Sequence, residues 1–216
     1  MDRLKIIAKS AYSNFETVLN SYECARICID ENIKGCFIEC GVAAGTQIGA
    51  MMYAARQKKQ EREFYLYDSF CGIPMAGPND TQQPGIGDIR HDVNVPERTL
   101  LKSSGITVHG EDGVKNNLIN WGLTLAGTCF VKGWFQDTVP KNNHGPIAIL
   151  RLDGDLYAST KICLEHLYKK VVPGGFIIID DYGLAGCKKA VDEFMGTGQF
   201  KYNVVKNTQK VIWWRV

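Results

Sequence analysis

The sequence predicts a three-layer α/β domain built on a mostly parallel sheet. Short apolar, β-branched runs alternate along the chain with longer segments whose apolar residues recur at helical spacing. Two of those runs, in "PIAILRLD" and "FIIIDDY", are nearly continuous, as for strands buried on both faces. A glycine-containing turn, "ECGVAAG", joins an early strand to a helix, the opening of a βαβ unit with a right-handed crossover.

The elements follow in order. Residues 1–32 read as a helical segment in two pieces, ended by the stretch from Asn32 to Gly35. Cys36 to Val42 is the first strand, and "AAGTQIGAMMYAARQKK" is a turn and a helix with Ile48, Met51, Met52 and Ala55 on its apolar side. "EFYLYDSF" is the second strand. Residues 71–96 are rich in Gly, Pro, Asn, Asp and Gln, and so long a loop in a compact domain predicts a lid or substrate loop. A helix around "EDGVKNNLINWGL", a strand "TCFVKGW" and a helical turn or loop "FQDTVP" come next. After "PIAILRLD", "LYASTKICLEHLYKKV" is amphipathic through Ile162, Leu164, Leu167 and Tyr168. "VPGGF" reads as a turn before the last apolar strand, and "LAGCKKAVDEFMG" as a helix closed by Gly196. "KYNVV" and "QKVIWWRV" form a hairpin that completes the sheet.

The chain has 216 residues, 45% of them apolar, which suits a single domain over 1–216 with no linker to divide it. With 25 basic and 23 acidic residues there is no strongly basic field, so duplex nucleic acid is not a natural partner. The first residues lack the apolar core of a signal peptide, and no apolar run is long enough to span a membrane. None of the eight cysteines forms a CxxC pair; they read as buried thiols of a reducing, cytoplasmic compartment. The apolar "VIWWRV" would serve a homo-oligomer interface, or equally place Trp213 and Trp214 on opposite faces of an edge or central strand.

In open α/β sheets ligands bind beyond the carboxyl ends of the strands, so the motifs can be sorted by position. Gly41 and Gly45 permit a tight turn and close approach of a ligand. The turn is not GxGxxG, because Glu39 takes the first glycine position. A carboxylate there repels a pyrophosphate but not a cationic or amino-bearing ligand, which favours S-adenosylmethionine over NAD. Asp68, at the end of the second strand, is placed to accept hydrogen bonds from ribose hydroxyls. Trp134 and Phe135 can flank an adenine ring and Gln136 can bond to it, although a plain core pair of aromatics fits the sequence nearly as well. Asp137 reads as a cap of the following turn.

Asp153 ends the fourth strand, and Asp180 and Asp181 end the fifth. Carboxylates gathered from adjacent strand ends raise one another's pKa unless a cation neutralises them. An all-oxygen set suits Mg²⁺, which keeps several waters and leaves room for substrate oxygens. The alternative is that Asp155 and Asp181 cap helices and only Asp180 faces the site.

At these residues the sequence resembles the macrocin O-methyltransferase (TylF) family. The likeness rests on "LRLDGDLYAST", "LYKKVVPGGFIIIDDYG", "FIECGVAAGT", "LYDSFCGIP" and "VKGWFQDTVP", in the same order, across residues 33–195. It implies a Rossmann-like class I methyltransferase fold, seven strands with the last antiparallel, and dependence on S-adenosylmethionine and Mg²⁺. It implies a sugar hydroxyl of a small, glycosylated molecule as acceptor. By the same resemblance Asp153, Asp180 and Asp181 would be metal ligands, with Asp153 also the general base. Glu39, Gly41, Gly45, Thr46, Asp68 and Ser69 would hold the methionine and ribose parts of the cofactor, with Trp134, Phe135 and Gln136 near its adenine. Asp155 falls in the motif but reads as support or helix cap. Within the loop, His91 is a candidate contributor and Arg90 a candidate contact for an anionic acceptor, but all four histidines, His91, His109, His144 and His166, read first as surface or structural. Three other readings compete: a catechol-like acceptor, an NAD-dependent oxidoreductase, and a non-catalytic protein that kept the fold.

Overall fold

In a computed structural model, residues 2–80, 96–141, 144–196, 200–208 and 210–216 are described. Two helices come first, α1 (Asp2–Ala8) and α2 (Phe15–Asp30), the second capped by the Asn14 side chain, which accepts from the Thr17 N–H. β1 (Cys36–Cys40), α3 (Thr46–Gln57) and β2 (Phe64–Asp68) make the βαβ unit, and α4 (Glu111–Asn120) leads to β3 (Thr128–Lys132). The short α5 (Phe135–Thr138) precedes β4 (Ile147–Leu152). Then come α6 (Tyr157–Leu167), β5 (Val171–Ile179), α7 (Ala185–Met195), β6 (Asn203–Val204) and β7 (Ile212–Arg215).

Among the described residues the strands form one sheet of seven in the order β3-β2-β1-β4-β5-β7-β6. β1 to β5 run parallel, and β7 is antiparallel to both its neighbours. β1 lies between β2 and β4, so the order reverses there, and a crevice opens beyond the ends of β1 and β4. Side chains alternate across a strand. Phe37, Ile149 and Ile178 therefore pack under α1 to α4, while Ile38, Cys40, Leu150 and Ile177 pack under α6 and α7. Ile48, Met51, Met52 and Ala55 are all buried on α3, as expected. No helix among the described residues is long and apolar enough to cross a membrane.

Several expectations need correction. β1 stops at Cys40, because Gly41 takes φ +90° and turns the chain. "VPGGF" is not a turn but the first part of the nine-residue β5. The register slips opposite it, between Ile147 and Ile149, and Gly174 at φ +83° absorbs the irregularity. On α6 the buried stripe runs through Thr160, Cys163, Leu164 and Leu167, and Ile162 is only partly covered. "VIWWRV" is an interior strand: Trp213 packs on Phe176 on one face and Trp214 on Phe200 on the other. Six of the eight cysteines are buried, with Cys71 and Cys129 exposed. The start of the long loop pairs with its far side through Pro74 and Ser103, while residues 81–95, with Arg90 and His91, lie outside the described residues.

A Cβ at Gly41 would overlap the carbonyl oxygen of Asp153. Replacing Gly41 with Ala combines that overlap with a strained positive φ. The expected cost is about 2 kcal/mol or more, read as a lower melting temperature in a thermal scan.

Candidate active site

The crevice holds a cleft with about 560 Å³ of empty space. Its wall takes residues from four strand ends: Gly41 and Ala43 after β1, Asp68 and Ser69 at β2, Gly133 to Gln136 after β3, and Asp153 to Asp155 after β4. Ile73 and Pro74 of the long loop and Thr107 close its outer side. The structure thus brings Gly41, Asp68, Ser69, Trp134, Phe135, Gln136 and Asp153 to one space. It does not bring Glu39, Gly45 or Thr46 to that wall.

Asp68 organises the turn after β1. Its Oδ2 accepts from the N–H groups of Val42 at 2.6 Å and Ala43 at 3.2 Å, and its Oδ1 from Phe70 N–H at 2.7 Å. Ala43 and Phe70 both have positive φ, at 45° and 53°. The carboxylate therefore holds two strained, non-glycine turns in place through charge-assisted bonds. Three of the carboxylate's four acceptor sites are used, and the one left, on Oδ1, is free for a hydroxyl donor. Ser69 Oγ donates to the Gly72 carbonyl at 2.8 Å and so shapes the next bend. Gly45, at φ +85°, is the N-cap of α3 without a side chain to cap it, and Thr46 is buried as the first helical residue.

Glu39 supplies the missing cap. It is fully buried, and its Oε2 accepts from Ile48 N–H in the first turn of α3 at 2.9 Å. A carboxylate at a helix N-terminus is favoured by the aligned peptide dipoles. Its Oε1 accepts from Arg151 Nε at 3.2 Å. Glu39 thus joins the first turn of α3 to Arg151, and through it to Asp153 and Asp180.

Arg151 was not anticipated. It lies within β4 with no exposed surface, in register beside Glu39. Its Nη2 donates to Asp153 Oδ2 at 3.0 Å and also to Asp180 Oδ1. Nη1 is buried, and its two N–H groups have no hydrogen-bond partner among the described residues. Burial alone would depress the guanidinium, but Asp180, Asp153 and Glu39 outweigh it and hold the group above its ordinary value. Burial pushes Glu39 the other way, up to about 8, against the pull of Arg151.

Asp153, Asp180 and Asp181 each offer a carboxylate oxygen, and the three oxygens lie within 4.8 Å of one another. Burial and then the neighbouring carboxylates raise Asp153 and Asp181 well above the ordinary range. One guanidinium faces Glu39, Asp153, Asp180 and, less directly, Asp181, so the ionised cluster carries excess negative charge. That excess, with an all-oxygen donor set, fits a hard divalent cation.

Asp155 is not a helix cap. The N-terminus of α6 is capped by Asp80, whose Oδ1 accepts from Tyr157 N–H at 2.8 Å. Asp155 instead joins the cleft wall at φ +58°, a conformation Asp tolerates better than most residues. Its own N–H donates to Asp181 Oδ2 at 2.9 Å. Burial and then Asp153 push its carboxyl well above the usual range. Asp137, expected as a cap, pairs with Arg98 at 3.1 Å on the surface.

This sheet order, with β7 reversed and the cleft at the switch point, is the class I methyltransferase fold. Residues 16–216 match the macrocin-O-methyltransferase (TylF) family. The chain is 33% identical over 178 residues to the 8-demethyl-8-(2,3-dimethoxy-alpha-L-rhamnosyl)-tetracenomycin-C 4'-O-methyltransferase of Streptomyces olivaceus, covering 82% of this chain and 64% of that protein. It is 31% identical over 198 residues to the demethyldecarbamoylnovobiocin O-methyltransferase of Streptomyces niveus, covering 91% and 71%. It superposes on the solved O-methyltransferase NovP with a TM-score of 0.74 and 30% identity, covering 94% and 80%. The chain belongs to the macrocin O-methyltransferase (TylF) family of class I S-adenosylmethionine-dependent O-methyltransferases.

The raised carboxylates have a consequence for stability. Unfolded carboxyls titrate near 4, and the folded ones titrate higher, Glu39 up to about 8. Between those values the native state binds more protons than the unfolded state, so stability falls as pH rises. In chelator, the melting temperature should drop between about pH 5 and pH 8, and Mg²⁺ should recover it increasingly as pH rises. Melting curves with and without chelator across that range check this; identical curves at every pH would contradict the cation fit.

Proposed function

We propose that the protein transfers a methyl group from S-adenosylmethionine to a hydroxyl of a sugar-containing small molecule, with a divalent cation such as Mg²⁺ at the carboxylates. The observation that carries this reading is the single cleft in which the Asp68 end meets Asp153 and Asp155. The sugar-containing acceptor rests on the named activity of the relatives, one of which acts on a rhamnosyl-tetracenomycin.

In this reading Asp68 and the turn after β1 bind ribose and the methionine part, while Trp134, Phe135 and Gln136 border the adenine. Bound S-adenosylmethionine supplies a methyl carbon on a cationic sulfur. Asp153, Asp180 and Asp181 are the ligand set for the cation, whose contribution when bound is to orient the acceptor hydroxyl and acidify it. An acceptor oxygen lone pair forms the new bond to the methyl carbon as the carbon–sulfur bond breaks. The bonding pair leaves with sulfur, giving a neutral thioether, and the hydroxyl proton passes to a carboxylate. Asp153 is one candidate for that base. Asp155 is the second: it lines the same wall and has no guanidinium partner, whereas Asp153 is tied to Arg151. Alignment of oxygen, carbon and sulfur is the main task of the walls.

Calorimetry should detect binding of S-adenosylmethionine and S-adenosylhomocysteine; no binding of either would sink the cofactor assignment. A screen of glycosides and catechols, read by mass for one added methyl, tests the acceptor class, and transfer to catechols alone would overturn the sugar assignment. The two bases separate by substitution. Asp153→Asn should weaken both cation binding and turnover. Asp155→Asn should cut kcat on the order of 100-fold or more while cation affinity stays within a few-fold. Full activity in Asp155→Asn would return the base role to Asp153.

A further inference from the structure

The turn after β1 and the carboxylates at the ends of β4 and β5 are joined by a buried chain of charged groups. At the cofactor end, Ile48 N–H in the first turn of α3 donates to Glu39 Oε2. Glu39 Oε1 accepts from Arg151 Nε at 3.2 Å, and Arg151 Nη2 donates to both Asp153 and Asp180. Neither Glu39 nor Arg151 has exposed surface. The α3 turn follows directly on Gly41 to Gly45, the loop that Asp68 clamps through Val42 and Ala43.

We propose that the Glu39–Arg151 pair is a positioning relay that makes cofactor binding at the turn after β1 and divalent-cation binding at Asp153, Asp180 and Asp181 depend on each other. The inference rests on the cofactor and cation assignments above. A cation at those carboxylates competes with the guanidinium for Asp153 Oδ2 and Asp180 Oδ1, the atoms that Nη2 holds. The planar fork cannot release one side without rotating or sliding against the other. Arg151 is enclosed by packed side chains and cannot swing to water, so a shift at Nη2 is felt at Nε and hence at Glu39. Glu39 passes it to the first turn of α3, which sets the backbone next to the cofactor. Charges this deeply buried are weakly screened, so small displacements matter more than they would at the surface. Coupling between two sites is reciprocal: each ligand changes the other's affinity by the same factor.

The experiment is a pair of calorimetric titrations on the full chain. S-adenosylhomocysteine is titrated without divalent ion and at saturating Mg²⁺, and Mg²⁺ without and with saturating S-adenosylhomocysteine. The same titrations are run on Glu39→Gln, which keeps the size and an acceptor but removes the charge. They are also run on Arg151→Lys, which keeps the charge but loses the fork. Melting curves check that each variant is folded. In the wild type each ligand should change the other's Kd by the same factor, at least about 5-fold. In both variants each ligand should still bind, with the factor falling toward one. A wild-type factor of one, with both ligands bound, overturns the relay alone; so does an undiminished factor in either folded variant. Failure of the wild type to bind S-adenosylhomocysteine or Mg²⁺ overturns the corresponding assignment and the relay with it. Should a variant not fold, the other variant and the wild-type factor still decide.

Discussion

A guanidinium with no access to water has to be matched by acceptors, and Arg151 is matched by three carboxylates from three strands. Glu39 comes from β1, Asp153 from the end of β4 and Asp180 from the end of β5. Removing any one of them would leave charge buried without its partner, which is far costlier than losing a surface pair. The centre of the sheet is thereby tied together at its carboxyl ends, where a parallel sheet otherwise has only turns. The same bridge explains why Glu39 can stand in a strand whose five residues are all buried. It is both the partner of Arg151 and the cap of α3.

The pairing also divides the site. The side chains of Glu39 and Arg151 lie on the α2–α3 side of the sheet, with Phe37, Ile149 and Ile178, because residues two apart share a face. The groups at the strand ends stand above them and border the cleft. Asp68 fixes two strained turns by accepting from their backbone N–H groups, while Arg151 gathers carboxylates by donating to them. Rigid scaffolding beneath and loops above is the usual way an α/β sheet presents chemistry, and here the scaffold is ionic as well as apolar.

Much of this was legible in the sequence. The strand–helix alternation gave the layers, and the apolar runs ending in Asp68, Asp153 and Asp180–Asp181 gave the rim of the site. Three features were hidden, each for a physical reason. Arg151 sits inside "AILRLDGD", where the apolar run draws attention away from one basic residue; a lone charge in a strand buried on both faces was the available signal, since it requires partners. Glu39 was assigned by its place in a motif, whereas the period of two turns it away from the cleft. Asp155 reads from sequence as a support residue or a helix cap, and spacing alone cannot reveal that Asp80, far away in sequence, already caps α6. The misread "VPGGF" has a similar origin: Pro and paired Gly mark turns locally, but here they mark a bulged strand start held by β4 and by Val216 N–H at 2.9 Å from the Gly175 carbonyl.

The central claim is that the charge left over after Arg151 is satisfied gathers a divalent cation at three strand ends. Electron paramagnetic resonance of Mn²⁺ tests it most directly, because free Mn²⁺ gives a sharp six-line signal that binding suppresses. With the chain in excess, the free signal should collapse, Mg²⁺ should restore it by competition, and Asp180→Asn should weaken the suppression by about 10-fold or more in affinity. A free signal unchanged by excess wild-type protein would contradict the claim.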